Sequence, residues 1–376
     1  MPHTDCRQFR TSEPCQPHKE TRVRCGECTV YDPVQERILI IKLGATGDVL
    51  RTTSCLPPLK ARYPHSHITW VTRSSSRAAL AGNPAIDRVL TVDGNYLEFL
   101  MAEEFDLAIG PDADLLSASI MRLAQAHEKR GCIADGRGGV RALGAAALAW
   151  TRMGTDDGLK QENRRTYGEW LYAMCELPTP VATPSLAVSS SSRDRIATFL
   201  ARHTPNARRR VVFNTGASTR WREKRWKSAH YRGLAQLVRA ESPDTAVILV
   251  GGPNETEFNR HLLSTDAGFV DGGTDRTVED VGAMMAACDW VLTPDSLGYH
   301  IACAVGTPAV CVVGPTSPWE LDRYERNLIL HSDVECIACY KAECPLARTC
   351  MDILTPAAAW KHIQASHGDL VAVRAE

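Results

Sequence analysis

The apolar positions of this chain fall into short continuous runs separated by stretches of helical spacing. From Arg37 the order is a strand "RILIIKLG", a helical stretch through "VLRTTSCLPPLKARYP", a strand "HITWVT", a helix "SSRAALAGNP", a strand "RVLTVD" and a strand "FDLAIG". Strand, helix, strand in this rhythm predicts a parallel sheet with right-handed crossovers. A polar serine-rich segment, "LAVSSSSRDR", reads as a linker, and the pattern then restarts. The second series runs strand "RRVVFNTGAS", helix "SAHYRGLAQLVRAE", strand "TAVILVGGP", helix "NETEFNRHLLS", helix "VEDVGAMMAAC", strand "DWVLTP", helix "SLGYHIACAVG" and strand "PAVCVVGP".

This is an α/β chain of two doubly wound, Rossmann-like parallel-sheet domains, with a ligand crevice expected at the carboxyl ends of the strands. The expected divisions are a Cys-rich segment over 1–35, a first domain over 36–188 and a second over 189–355. A C-terminal helix, "PAAAWKHIQASHG" within 356–376, is expected to cross back onto the first domain.

Composition narrows the function. At 376 residues, 44% hydrophobic and 23% charged, the chain has the make-up of a globular protein with room for two cores and an appendage. A net charge of −1 gives no concentrated basic surface for nucleic acid or for a membrane as main partner. The start "MPHTDCRQFR" lacks the apolar core of a secretory signal. The longest uncharged stretch, Ser296 to Trp319, is broken by Gly298, Gly306, Pro308, Gly314, Pro315 and Pro318, so no transmembrane segment is expected. The expectation is a cytoplasmic protein.

In that compartment 14 cysteines call for a role other than disulfides. Cys6, Cys15, Cys25 and Cys28 form one cluster, and Cys336, Cys339, Cys344 and Cys350 another, each with a Cys-x2-Cys pair. That spacing lets two thiolates grip one tetrahedral ion. A structural metal is the expectation for the first four, because the segment is too polar to form a core of its own. Reduced thiols or a redox pair stand beside it for the second four. Spacing does not choose between zinc and iron or an iron–sulfur cluster. Cys55, Cys132, Cys175, Cys288, Cys303 and Cys311 sit singly in apolar surroundings and read as packing residues.

The strand ends carry the remaining chemistry. In "KLGATGDVLRTT", Gly44 and Gly47 flank a small-residue turn that ends in a lone acid, Asp48. After "VVFNTGAS", the loop residues Thr215, Gly216, Ser218 and Thr219 precede "TRWREKRW", which places Lys224 and its arginine neighbours beside small residues able to offer backbone N–H groups to phosphate. In "LTPDSLGYHIA", Asp295 and Ser296 stand where a helix N-cap belongs and Gly298 permits close approach; Leu297 and His300 complete this set. In "VGGPNETE", Glu255 or Glu257 is placed to bind ribose hydroxyls, as acids after Rossmann strands do. Asp112 and Asp114 in "GPDADLL" read as a loop and helix start. Arg164 and Arg165 read as a helix surface that could alternatively grip an anionic acceptor sugar.

Together, "ILIIKLGATGDVLRTT", "NTGAS" with "EKRW", "LVGGPNETE" and "TPDSLGYHIACAVGTPAVCVVGPTSP" resemble glycosyltransferase family 9, the ADP-heptose:lipopolysaccharide heptosyltransferases, from about Arg37 onward. The resemblance implies a GT-B fold with an N-terminal acceptor domain and a C-terminal nucleotide-sugar domain. It also implies inverting transfer from an ADP-sugar to lipopolysaccharide core or another glycan or lipid-linked acceptor at the cytoplasmic membrane face, with no cofactor for catalysis. Asp48 matches the family's catalytic base, a role compatible with capping the following helix. Lys224 would then offset charge on the departing ADP, as a divalent metal does in GT-A enzymes. The Cys-rich N-terminus lies outside the resemblance.

Alternatives share parts of this pattern. A protein-modifying heptosyltransferase, a GT-B phosphorylase and a nucleotide-sugar epimerase would use the same fold. An NAD-dependent dehydrogenase would need a Gly-x-Gly-x-x-Gly turn that "LGATGD" does not supply. A zinc-dependent nucleic-acid module would need a basic, aromatic stripe near the cysteines.

Overall fold

The computed structural model describes residues 2–217, 222–265 and 268–366. It contains two six-stranded sheets. The first is built from β1 (Arg37–Ile41), β2 (His67–Thr72), β3 (Arg88–Thr91), β4 (Glu104–Gly110), β5 (Gln125–Ala134) and β6 (Val140–Leu143) in the order β3-β2-β1-β4-β5-β6. The second uses β7 (Arg209–Asn214), β8 (Thr245–Val250), β9 (Val270–Asp271), β10 (Trp290–Pro294), β11 (Ala309–Val313) and β12 (Leu328–His331) in the order β12-β11-β10-β7-β8-β9. Among these strands only β6 runs antiparallel to its neighbour. Counted from its own first strand, each sheet has the same order, and the direction of winding reverses between β1 and β4 and between β7 and β10. Those reversals open crevices at the strand carboxyl ends.

The alternation of the strands explains how each sheet is covered on both faces. Ile38 and Ile40 pack with Val49, Trp70 and Tyr167 on one face, whereas Leu39 and Ile41 pack with Phe105, Ile120 and Met121 on the other. In the second sheet Val211 and Phe213 face Trp226, Tyr231 and Trp290, and Val212 faces Met284 and Tyr299. Five of the six single cysteines are buried in these cores and Cys288 is half-buried.

Three features depart from the sequence expectations. The serine run is the start of a helix, Ser190–His203: Ser189 is its N-cap and its hydroxyl accepts from Ser192 N, so serines that read as a linker supply a cap. The stretch "SSRAALAGNP" forms only a 3-10 turn, Ser74–Ala79, followed by Gly82 at φ +71°. The last helix, Pro356–Ser366, stays with the second sheet, where Ala359, Trp360 and Ile363 pack in one cluster with Tyr231, Leu234 and Val238. Its apolar face covers the apolar face of the Ser228–Glu241 helix, so it has no reason to cross to the first domain.

The N-terminal segment carries a short helix, Gln16–Thr21, and a 3-10 turn, Cys25–Glu27. It is tied down by ion pairs and backbone bonds. Arg7 pairs with Asp32 at 2.8 Å and with Asp87, and donates to Ser66 O at 3.0 Å. Tyr31 Oη donates to Asp5 at 2.5 Å, Val34 N donates to Asp5 O at 2.8 Å, and Cys6 bridges Pro33. Asp87 also accepts from Ile68 N at 2.7 Å, which fixes the segment at the amino ends of β2 and β3. Ion pairs and backbone bonds therefore anchor this segment although it has no apolar core of its own. Among the described residues no helix is long and apolar enough to cross a membrane.

Candidate active site

The turn after β1 leads into the helix Thr46–Thr52, and the turn after β10 into the helix Leu297–Ala304. Their first turns touch across the crevice between the two sheets. A Cβ placed on Gly47 would lie 2.9 Å from His300 Cδ2 and 3.4 Å from Leu297 Cα, so glycine at 47 allows this approach. A second seam runs beside it. The start of the helix Tyr167–Cys175 is capped from the other unit, with Tyr167 N donating to Glu320 O at 3.0 Å and Gly168 N to Asp322 Oδ1 at 3.0 Å. A Cβ on Gly168 would come within 2.5 Å of that carboxylate.

These contacts enclose a cavity of about 180 Å³ whose walls include Asp48 and Arg51 from the first unit and Lys224, Asp295, His300, Thr316, Glu320 and Tyr340 from the second. Arg51 Nη2 pairs with Asp48 Oδ1 at 2.7 Å while its guanidinium lies 3.7 Å above the Tyr167 ring. Burial would raise the Asp48 carboxyl, but Arg51, and behind it Lys42, outweigh this and hold it below the usual carboxylate range. Opposite, Lys224 Nζ pairs with Asp295 Oδ2 at 2.7 Å, and Thr316 Oγ1 donates to the same oxygen at 2.6 Å. Burial opposes the charge on Asp295, yet Lys224 and Thr316 bring its carboxyl down to about 2. His300 is pushed to about 4, by burial first and then by Arg51, so its imidazole is neutral near pH 7 and can donate one N–H.

The remaining residues singled out in the sequence divide by position. Ser296 caps its helix by accepting from Gly298 N at 3.3 Å. Gly298 is packed: a Cβ there would sit 2.2 Å from Asn214 Nδ2, so its closest neighbour is the protein itself. Leu297 is half-buried under Gly47. Gly44 has room, since a Cβ placed there would have Arg73 Cδ as its nearest neighbour at 3.9 Å. Thr215 is buried and turned into its own sheet, donating to Asn259 Oδ1 at 2.6 Å. Gly216 follows it, half-buried, and Ser218 and Thr219 lie outside the described residues. Glu255 is buried, pairs with Arg225 at 2.6 Å and accepts from Gly252 N at 3.0 Å. Glu257 is exposed and pairs with Arg260 along a helix surface, away from the cavity walls. Asp112 pairs with buried Lys42, and Asp114 caps the helix Leu115–Leu123.

The cysteine clusters are uncrosslinked. Cys6, Cys15, Cys25 and Cys28 line one cavity of about 140 Å³ in the N-terminal segment. Cys336, Cys339 and Cys344 lie close enough to Cys350 to act with burial in raising its thiol to about 11. Among the described residues no group of three or more His, Cys, Asp or Glu side chains has the arrangement of a ready-made ion site. The sequence pointed to Asp48 and Lys224 but passed over Arg51, Glu320 and Tyr340. Arg51 was detectable from its i,i+3 spacing to Asp48 on a helix. The other two are brought in by long-range folding.

Residues 96–349 match the family model of glycosyltransferase family 9 (heptosyltransferase). The chain belongs to glycosyltransferase family 9. Among family members, lipopolysaccharide heptosyltransferase 1 of Escherichia coli K12 is 23% identical over 322 residues, which is 77% of this chain and 92% of that protein. Among solved structures, a family 9 glycosyl transferase from Veillonella parvula superposes with a TM-score of 0.73 at 18% identity, covering 89% of this chain and 97% of that one. E. coli ADP-heptose lps heptosyltransferase II gives a TM-score of 0.66 at 20% identity, covering 88% and 98%. The family 9 assignment makes the protein a glycosyltransferase, and its two facing sheets are the GT-B fold.

The Asp48–Arg51 pair predicts a pH dependence for turnover that uses the Asp48 carboxylate. Asp48 has a depressed carboxyl pKa, so turnover that needs its ionised form is present at neutral pH and lost as pH falls through that low value. Arg51→Gln removes the main charge holding it down, and the acid limb of the kcat–pH profile is expected to move to higher pH. An acid limb unmoved in the variant would separate Arg51 from Asp48 ionisation.

Proposed function

We propose that this enzyme transfers a heptose or related sugar, with inversion, from an ADP-sugar to lipopolysaccharide core or another glycan or lipid-linked acceptor at the cytoplasmic membrane face, without a metal in the chemical step. The observation that carries the reading is the meeting of Asp48 and Lys224, from opposite units, on the walls of one cavity. Asp48 takes the proton of the acceptor hydroxyl as its oxygen bonds to the anomeric carbon. The bond from that carbon to the diphosphate oxygen breaks, and the electron pair leaves with ADP. Lys224 stabilises the charge on that leaving group, and neutral His300 supplies a hydrogen-bond donor beside it. The names of the relatives, heptosyltransferases of lipopolysaccharide, support the choice of sugar and acceptor.

Asp48→Asn is expected to lower turnover by roughly 10²–10⁴ fold while ADP-sugar affinity changes little, because the carboxylate acts on the other substrate. Steady-state kinetics with calorimetric titration of the donor checks this; near-normal turnover would reduce Asp48 to a residue of the helix start.

The N-terminal thiols support a structural role beside this chemistry. Cys6, Cys15, Cys25 and Cys28 line one cavity, and four thiolates are the donor set of a thiophilic ion, zinc or iron. They stand at the far end of the first sheet from Asp48, so the ion would brace the segment and take no part in transfer. Elemental analysis of protein purified without chelator is expected to find about one such ion per chain lost in Cys25→Ser. That variant should also melt earlier yet still bind ADP-sugar. Metal-free wild-type protein with four freely titrating thiols would refute the assignment.

A further inference from the structure

The base and the leaving-group contacts leave a third wall of the cavity unexplained. It is formed by Glu320 and Tyr340. Glu320 follows β11 and its backbone carbonyl caps the Tyr167–Cys175 helix of the opposite unit, which pins it at the seam. Its side chain accepts from Tyr340 Oη at 2.9 Å. Among the described residues it has no ion pair. Burial raises its carboxyl above the usual range, with Arg51 opposing, whereas Asp48 and Asp295 in the same cavity are both lowered. It is the cavity carboxylate that the protein leaves under-compensated, and hydroxyl donors from a ligand would satisfy it.

Tyr340 is delivered from the loop of the second cysteine cluster, between Cys339 and Cys344. Its N–H donates to Pro315 O at 2.8 Å, and Lys160 lies 5.1 Å from its ring centroid. Ala338 and Tyr340 hold left-handed φ angles of 59° and 51°, a conformation that costs a non-glycine residue and persists where the surroundings impose it. The turn is bent so as to set the phenol against Glu320. In the reaction proposed above, the transferred sugar must lie between the Asp48 side and the Lys224–Asp295 side, and this wall borders that slot.

We propose that Glu320 is a specificity-determining residue that accepts hydrogen bonds from hydroxyls of the transferred sugar, and that Tyr340 is the positioning residue that aims it. The proposal rests on the ADP-sugar reading of the site. It assigns the sugar, and not the nucleotide, to this wall. A carboxylate suits that task because its two oxygens can accept from neighbouring hydroxyls, and charge-assisted bonds discriminate strongly against a sugar that lacks one.

The test compares free ADP with ADP-heptose by calorimetry, without acceptor, in wild type, Glu320→Gln, Tyr340→Phe and the double variant. Glu320→Gln is expected to weaken ADP-heptose binding roughly tenfold or more and leave ADP binding unchanged, the ADP value serving as the control for folding. Tyr340→Phe should weaken ADP-heptose binding by a smaller factor, and should add nothing in the Glu320→Gln background, which a merely structural role would not produce. ADP-heptose and ADP weakened equally, or ADP-heptose unaffected while acceptor KM rises, would overturn the assignment with the parent reading intact. Wild-type protein that binds neither ADP nor ADP-heptose would overturn the parent reading and this assignment with it.

Discussion

The contact of Gly47 with His300 and Leu297 is the constraint from which the site follows. Two helices that begin at the switch points of two separate sheets can bring their first turns together only where one lacks a side chain. That approach puts Asp48 on one side of a narrow slot and Lys224, Asp295 and His300 on the other. The carbonyl of Glu320 and the carboxylate of Asp322, capping the Tyr167–Cys175 helix, hold the same spacing from behind. Gly168 is required there for the same steric reason as Gly47.

Inside the slot the charges are arranged as pairs: Asp48 with Arg51, Lys224 with Asp295, and Lys42 with Asp112 just below. Burying single charges in such a place would be costly, and pairing each with an opposite charge offsets that cost without a ligand. The pairing has a mechanistic corollary. In the proposed reaction, a donor diphosphate that approaches Lys224 meets a cation already shared with Asp295, so its binding would redistribute the lysine's hydrogen bonds and need no new charge. Neutral His300 adds a donor without adding to the positive charge. Glu320 stands apart because its partner is a phenol, and this asymmetry makes it the group through which a neutral polyol can be recognised.

Much of this was legible in the sequence, for identifiable reasons. The runs "RILII", "RRVVFN" and "AVCVV" are continuous because both faces of their sheets are covered, so the alternating α/β order could be read directly. Asp48, Lys224 and Asp295 could be found because each lies in the segment that follows a recognisable strand, Asp295 directly and the other two several residues on. Legibility failed where a residue's role depends on what packs against it. Glu255 reads in its motif as an acid placed for ribose, and only the fold shows that Arg225 and Gly252 N orient its carboxylate. Gly298 reads as a ligand-approach glycine, and only the fold shows that Asn214 also needs the space a side chain would take there. The serines at 189–192 have the composition of a linker and the geometry of a cap. Arg7, one cation in a polar segment, anchors the N-terminus through acids that lie far away in sequence, at Asp32 and Asp87. Tyr340 sits among cysteines that draw attention to metal chemistry, and its importance appears only when the loop folds against Glu320.

The central claim is that one carboxylate, on the face opposite the departing diphosphate, activates the acceptor directly. The anomeric configuration of the product tests it most directly. With ADP-heptose of defined anomeric configuration as donor and a lipopolysaccharide-core acceptor, proton NMR of the product is expected to show the opposite configuration at the transferred sugar. Retention of the donor's configuration would contradict a single displacement assisted by Asp48 and would require a different account of the slot.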